Sequence, residues 1–217
     1  MNNLLLYIST GLIIVPFIYY GIMILINNKK ISNDTGFNIT KDILSKYDSI
    51  NIIENTGKMT YYNIKRGVIK LNHNCYNNSD LSRVSISLLE AGISGIDKEK
   101  NKYINFFKNI FNNLKILYIF PFIALFFNNI SYTIPDAKLC IIITIICSIF
   151  TYIYASILTE ATNWVSKNIK KVKSIDKENS KKIIDYQNTI IKLNNLTFLG
   201  ELVVIIRMVA MIMSLKN

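Results

Sequence analysis

The chain has 217 residues, of which 51% are hydrophobic, and it carries a formal net charge of +11. The apolar residues are concentrated in long uncharged runs, which is not typical of a soluble domain and predicts a multi-pass membrane protein. The bilayer is a sufficient partner for the positive charge, and since no groove-reading motif accompanies it, nucleic-acid binding is not expected.

The N-terminal region, residues 1–27, is predicted to be a membrane anchor. Residues 4–26 contain no charged side chain, and a run of about 20 apolar residues is enough to cross a hydrocarbon core of about 30 Å. No basic region precedes this run and no small-residue cleavage site follows it. We therefore expect an uncleaved anchor rather than a signal peptide.

Residues 28–102 are predicted to form a small α+β subdomain on the cytoplasmic side. A helix through residues 41–47 is expected, with an N-cap at or near Thr40. Three short strands forming a β-meander are expected at residues 50–54, 59–63 and 68–71. A polar cluster ending at Asp80 then predicts the start of a helix that runs from Leu81 towards Gly95, followed by a charged break over residues 97–102.

This last helix contains a short motif around Glu90. Residues 88–94 have the spacing of a His-Glu-x-Gly-His zinc-protease helix, with Glu90 and Gly92 in place, but Leu89 and Ile93 occupy the two ligand positions. In an active enzyme two histidines four residues apart bind one zinc ion from one helix face, and the glutamate acts as general base. Leucine and isoleucine have no lone pair to donate to a metal.

Residues 103–158 are predicted to contain the second and third spans, and residues 196–217 the fourth. The third span, 139–158, and the fourth, 196–215, are clear apolar runs. The second, 116–130, is shorter and is interrupted by Pro121 and by asparagines, so we expect it to extend upstream through the apolar residues of 104–111. A re-entrant hairpin with the next segment is the alternative.

The basic residues predict the orientation of these spans. Residues 27–115 hold 14 Lys and Arg against 8 Asp and Glu, and residues 159–195 hold 8 against 4. Because cytoplasmic segments carry the excess of basic residues, both segments, including the basic segment 159–195, are expected in the cytoplasm beneath the plasma membrane. Four lysines just after the third span should meet anionic lipid head groups, namely Lys167, Lys170, Lys171 and Lys173.

Two charges fall inside the fourth span, Glu201 and Arg207. Charges within a span are costly and usually functional or paired. Six residues place these two side chains about 120° apart around the helix, so they are poorly placed to pair with each other. We expect Arg207 to meet a partner on another span, to mark a contact with another membrane subunit, or to extend to the membrane surface.

Several blocks in order along the chain resemble the membrane zinc metallopeptidases of the YugP type. The blocks are Thr35-Gly36, residues 57–63, residues 68–72 followed by Cys75-Tyr76, residues 88–94, residues 159–163 and Leu196-Thr197-Phe198. In that family an N-terminal anchor, a His-Glu-Val-Gly-His helix, a later Glu-containing segment and further spans follow one another. The resemblance implies a mostly α, four-span fold and matches Glu160 to the third zinc ligand.

The departures from the family pattern determine the functional expectation. Leu89 and Ile93 stand where the family has zinc histidines, while Thr60, Tyr61 and Asn63 stand at its Asp-His-Tyr-Asp positions. Glu90 and Glu160 are the two carboxylates that remain, whereas a catalytic zinc takes three protein ligands. The chain is therefore expected to have no cofactor, to be a pseudopeptidase, and to act as a binding or regulatory subunit for a membrane protein partner.

Two alternatives remain open at this stage. An active metallopeptidase with an altered zinc site would use Glu90, Glu160 and His73, which is the only histidine. A small transporter or channel-like protein would instead place Glu201 and Arg207 along a path through the membrane. No inverted repeat or pair of broken helices supports the second alternative.

Overall fold

A computed structural model describes residues 2–47, 49–129 and 134–216, most of which are helical. The described elements are helix α1 (Asn2–Ile26), α2 (Gly36–Ile43), strands β1 (Asn51–Asn55), β2 (Tyr61–Asn63) and β3 (Val68–Asn72), then α3 (His73–Asn77), α4 (Leu81–Lys98), α5 (Lys102–Ile110), a 3-10 helix (Leu114–Tyr118), α6 (Ile119–Asn128), α7 (Ile134–Asn168), a short 3-10 helix (Ile169–Lys171) and α8 (Lys177–Lys216).

Three of the described helices are long and apolar enough to cross a membrane, over Asn3–Ile26, Ala137–Lys171 and Lys177–Ser214. The prediction of a mostly helical chain with long apolar helices and a small three-stranded sheet is therefore confirmed. The remaining apolar helix, Leu114–Asn128, is shorter, so a fourth span stays a prediction. Its expected upstream extension is wrong, because α5 is a separate helix that ends at Ile110 and buries Ile104 and Phe107.

The chain divides into two compact units, and the first contains residues 1–21, 117–155 and 192–217. Its buried cluster consists of Ile13 from α1, Cys140 from α7, and Val204 and Met208 from α8. Helix α8 approaches α1 at Gly200, where an added Cβ would lie 2.8 Å from Ile13 Cγ1. A side chain at residue 200 would therefore push the two helices apart.

The second unit, residues 22–116 and 156–191, contains a three-stranded sheet in the order β1-β3-β2. The predicted meander is wrong, because β3 is central, parallel to β1 and antiparallel to β2. In the central position β3 pairs its backbone groups with a strand on each edge, and its Ile69 and Leu71 side chains are fully buried. The pairing with β1 joins residues distant in sequence, so no turn between neighbouring strands specifies it.

Helix starts in the second unit follow capping chemistry. The expected start of α4 is confirmed, since Asp80 Oδ1 accepts a hydrogen bond from the Arg83 N–H at 2.9 Å. The expected cap at or near Thr40 is not found at Thr40 itself, because α2 begins earlier and Thr35 Oγ1 accepts from the Asn38 N–H. The predicted break over 97–102 also begins later, since α4 continues to Lys98 and includes Asp97.

Residues 159–195, predicted as a basic cytoplasmic segment, form the end of α7 and the start of α8 with a short connection between them. Several of their side chains pack inside the second unit, including Ile183 and Tyr186. Gln187 Nε2 donates a hydrogen bond to the Ser85 carbonyl at 2.9 Å. This part of α8 is therefore hydrogen-bonded directly to α4.

Candidate functional site

Helix α4 carries the Glu90 motif and is enclosed on all sides. Every residue from 85 to 97 is buried, and Leu89, Glu90 and Ile93 are 3%, 2% and 1% exposed. A helix buried around its whole circumference lies in a core rather than at an open cleft. The three positions that would face zinc and substrate in a peptidase therefore expose almost no surface.

Two glycines bring α7 directly against the motif helix. A Cβ added to Gly92 would lie 2.5 Å from the Ala161 carbonyl oxygen, and one added to Gly95 would lie 2.4 Å from the Trp164 ring. Both distances are shorter than any ordinary contact, so only glycine permits this approach. The segment that follows Glu160 thus packs beside the motif helix.

The Glu90 carboxylate is held by a buried ion pair and a backbone hydrogen bond. Lys115 Nζ lies 3.1 Å from Glu90 Oε1, with only 11% of the lysine side chain exposed. The Tyr62 N–H of strand β2 donates to Glu90 Oε2 at 2.9 Å. Glu90 is therefore shielded from solvent, and each of its oxygens lies beside a positively polarised group.

A second buried carboxylate, Asp97, lies two helical turns beyond Glu90 and has a matching environment. Tyr62 Oη donates to Asp97 Oδ2 at 2.6 Å, and Lys108 Nζ lies 2.6 Å from Asp97 Oδ1. Burial, reinforced by the hydrogen bond to Asp97 and its charge, raises the pKa of Tyr62. Tyr62 therefore joins both carboxylates, through its backbone to Glu90 and through its side chain to Asp97.

Asp97 was missed at the sequence level, although the spacing carried a signal. Glu90 and Asp97 are seven residues apart, which places them on one face of a helix, and Lys108 and Lys115 have the same separation. Only Glu90 fell within a recognised motif. The pairing of the two acids with the two lysines becomes visible only in the folded chain.

Glu160 is engaged with Asn101, whose Nδ2 donates to Glu160 Oε2. Asn101 is also the N-cap of α5, since its Oδ1 accepts from the Tyr103 N–H at 2.9 Å. The hydrogen bond between Asn101 and the Glu160 carboxylate thus connects the start of α5 with α7. Nearby, Trp164 Nε1 donates to Glu99 Oε1 at 2.9 Å, which ties the end of α4 to the same helix.

His73 lies apart from these carboxylates. It is exposed at the start of α3, with its Nδ1 2.6 Å from Glu54 Oε1 and 3.1 Å from Asn77 Nδ2. Its contacts are thus with surface groups. The altered zinc site considered from the sequence, which requires His73 beside Glu90 and Glu160, gains no support from this placement.

The residues around Glu90 do not fit a zinc ion. Leu89 and Ile93 have no donor atoms, and the Lys115 ammonium already supplies positive charge to Glu90 Oε1. Across the described ranges, no group of three or more His, Cys, Asp and Glu is placed to hold a metal. The Lys115 ammonium would also repel a metal cation bound next to Glu90.

The charges of the fourth predicted span have separate partners in the first unit. Glu201 Oε1 accepts from Thr151 Oγ1 at 2.9 Å. Arg207 Nη1 donates to the carbonyl oxygen and, at 3.0 Å, to Oδ1 of Asn128 on α6. Arg207 therefore has a partner on another helix of its own chain, and a contact with a second subunit is not required to explain it.

The four lysines expected to face lipid, Lys167, Lys170, Lys171 and Lys173, are all exposed. Lys167 lies at the end of α7, Lys170 and Lys171 lie in the short 3-10 helix that follows, and Lys173 lies in the connection to α8.

Comparison with protein-family models, with curated proteins and with solved structures finds no match to this chain.

Proposed function

We propose that this chain is a catalytically inactive membrane relative of the YugP-type zinc metallopeptidases that acts by binding. The observation that carries the proposal is the buried Glu90–Lys115 ion pair, beside Leu89 and Ile93 at the expected ligand positions. The positive charge beside Glu90 is supplied by a lysine ammonium, whereas a zinc enzyme has a metal cation near this glutamate.

The chemistry of peptide hydrolysis explains why this arrangement disfavours activity. Zinc lowers the pKa of its bound water from about 15.7 to about 7, which lets a glutamate remove the proton. Without the ion Glu90 has no activated water to deprotonate, and its negative charge is already neutralised by Lys115. Both the nucleophile and the base of the reaction are thus missing.

The burial of the motif also bears on where a partner would bind. In an inactive relative of a peptidase the former substrate cleft would be a natural docking groove, but Leu89, Glu90 and Ile93 are almost fully buried. A partner would contact other surfaces, such as the outward-facing apolar side chains of α1, α7 and α8, several of which are exposed. In a bilayer these faces are available to lipid or to the helices of a membrane protein.

The placement in the membrane is part of the proposal. With both basic regions in the cytoplasm under the plasma membrane, the exposed lysines Lys167, Lys170, Lys171 and Lys173 would lie near anionic head groups. Each such residue near the surface contributes about 1 kcal/mol of attraction. Flotation with vesicles of neutral or anionic lipid, comparing wild type with a variant in which all four become glutamine, would measure this contribution.

Catalysis is tested with purified protein in lipid vesicles. We expect the wild-type protein and the Glu90→Gln variant to show the same rate of peptide hydrolysis when zinc is added, because Glu90 performs no chemistry. Glu178→Gln, an exposed carboxylate on α8, is the matched control. Hydrolysis that is abolished by Glu90→Gln and by a zinc chelator, but unaffected by Glu178→Gln, would contradict the proposal.

Binding is tested separately in native membranes. After crosslinking and mild detergent extraction, the chain should migrate in a complex with a second, different membrane protein. The purified chain alone should not form a species of that size. Recovery of the chain only as a monomer from crosslinked membranes would contradict the binding role while leaving the inactive site unaffected.

A further inference from the structure

Glu201 is a fully buried carboxyl group on α8, within a candidate membrane span. Its Oε1 accepts a hydrogen bond from Thr151 Oγ1 at 2.9 Å. Its Oε2 is buried and has no hydrogen-bond partner among the described residues. Among the described residues the carboxyl group therefore receives one hydrogen bond, at Oε1, and none at Oε2.

Ser148 of α7 lies beside the same carboxyl group. The Ser148 hydroxyl donates its hydrogen to the Thr144 carbonyl at 2.9 Å. A serine hydroxyl has a single proton, so while it is bonded to Thr144 it can offer Glu201 only lone pairs. In this arrangement Thr151 is the hydrogen-bond donor to the carboxyl group, and Glu201 Oε2 receives none from the described residues.

This pair of neighbours matches a neutral carboxylic acid better than a carboxylate. A neutral acid has a carbonyl oxygen that can accept from Thr151 and a hydroxyl that can donate to a lone pair of Ser148. An ionised carboxylate only accepts hydrogen bonds, so its second oxygen would need another donor. An unpaired charge buried in this way is strongly unfavourable.

The charged and titratable groups nearby do not supply a counter-ion. Among the described residues, none forms a salt bridge with Glu201. Arg207, the other charge in this span, is bonded to Asn128. Helix α1 has no charged side chain, and the titratable group of α7 that faces Glu201 is the Cys147 thiol.

We propose that Glu201 is a proton-binding site within the membrane, held as a neutral carboxylic acid between Thr151 and Ser148. The site lies next to the surface of the first unit, because Ser148 also lines an apolar groove with Ile149 and Leu202. In a membrane this groove is in contact with hydrocarbon. Apolar reagents dissolved in the bilayer can approach the acid, whereas water-soluble ones cannot.

Infrared spectroscopy measures the proton directly. At neutral pH the wild-type protein should show a carboxylic-acid C=O stretching band that is absent from Glu201→Gln and present in the exposed control Glu178→Gln. Glutamine keeps an acceptor for Thr151 and a donor for Ser148, so the variant should fold. Identical spectra of wild type and Glu201→Gln in this region would overturn the proposal.

A second experiment distinguishes a proton from a metal cation. A hydrophobic carbodiimide takes up a protonated acid: the acid proton moves to a reagent nitrogen, and the carboxyl oxygen bonds to the central carbon with no leaving group. Mass spectrometry should locate one added reagent molecule on Glu201, in a yield that falls as the pH rises. Suppression of labelling by Na⁺ at constant pH and ionic strength would mean that the site holds a metal cation and would overturn the proposal.

Discussion

Replacing Lys115 with methionine should strongly destabilise the second unit, because it leaves the Glu90 carboxylate buried without its cation. Methionine keeps the length of the side chain, and Glu90 is 2% exposed, so water cannot take the place of the ammonium. Breaking a buried ion pair by removing one partner costs about 3–5 kcal/mol of unfolding free energy. The contact lies at 3.1 Å between Lys115 Nζ and Glu90 Oε1, which is an ordinary ion-pair distance.

The expected loss can be measured as a shift in the thermal unfolding midpoint in detergent. For a chain of this size 1 kcal/mol corresponds to about 2–4 °C, so Lys115→Met should lower the midpoint by about 6–20 °C. The double variant Glu90→Gln/Lys115→Met should recover much of the loss, because glutamine is neutral and still accepts the Tyr62 N–H. A coupling free energy of about 0.5–3 kcal/mol is expected.

Lys170→Met is the matched control, since Lys170 is exposed and should change stability by less than about 0.5 kcal/mol. The reasoning would be refuted if Lys115→Met behaved like Lys170→Met. It would also be refuted if the losses from Glu90→Gln and Lys115→Met simply added in the double variant, because the two charges would then not interact.

Two further predictions concern the same unit. Gly92→Ala should lower the free energy of unfolding by about 1–3 kcal/mol through overpacking, since the added Cβ would lie 2.5 Å from the Ala161 carbonyl oxygen. Gly11→Ala in α1 is the control and should be neutral or stabilising, because nothing lies within 4 Å of its added Cβ. Equal thermal unfolding midpoints for the two variants would contradict the close helix contact. Tyr62→Phe should make unfolding less sensitive to alkaline pH. Because folding raises the pKa of Tyr62, its contribution to the free energy of unfolding is complete below its unfolded-state pKa near 10.0 and declines as the pH rises above that value. If Tyr62→Phe left the pH dependence of stability above pH 10 unchanged, the role of the bond to Asp97 would be refuted.

Features set by local sequence were predictable. The apolar runs predict membrane-spanning helices because length and hydrophobicity alone decide whether a segment can cross a bilayer. The polar cluster ending at Asp80 predicts the start of α4 because capping involves only the first turn of a helix. Leu89, Glu90 and Ile93 were expected on this helix, but the burial of Glu90 was not predicted, because it depends on how other elements pack around α4.

Features set by contacts distant in sequence were not predictable. The order of the strands depends on which strands pair with the two edges of β3, and no local signal specifies a parallel pairing between β1 and β3. The end of α4 was placed too early because Asp97 resembles a solvated charge until Lys108 and Tyr62 are seen to enclose it. The partner of Glu90 is likewise Lys115, which lies 25 residues further along the chain.

The central claim, a protease-like site without zinc, is tested most directly by the metal content of the purified protein. Elemental analysis after extraction in mild detergent without chelator should give far less than one zinc per chain, with no difference between wild type, Glu160→Ala and Glu178→Ala. One zinc per chain that is lost in Glu160→Ala and retained in Glu178→Ala would contradict the account, because Glu160 would then be a working ligand.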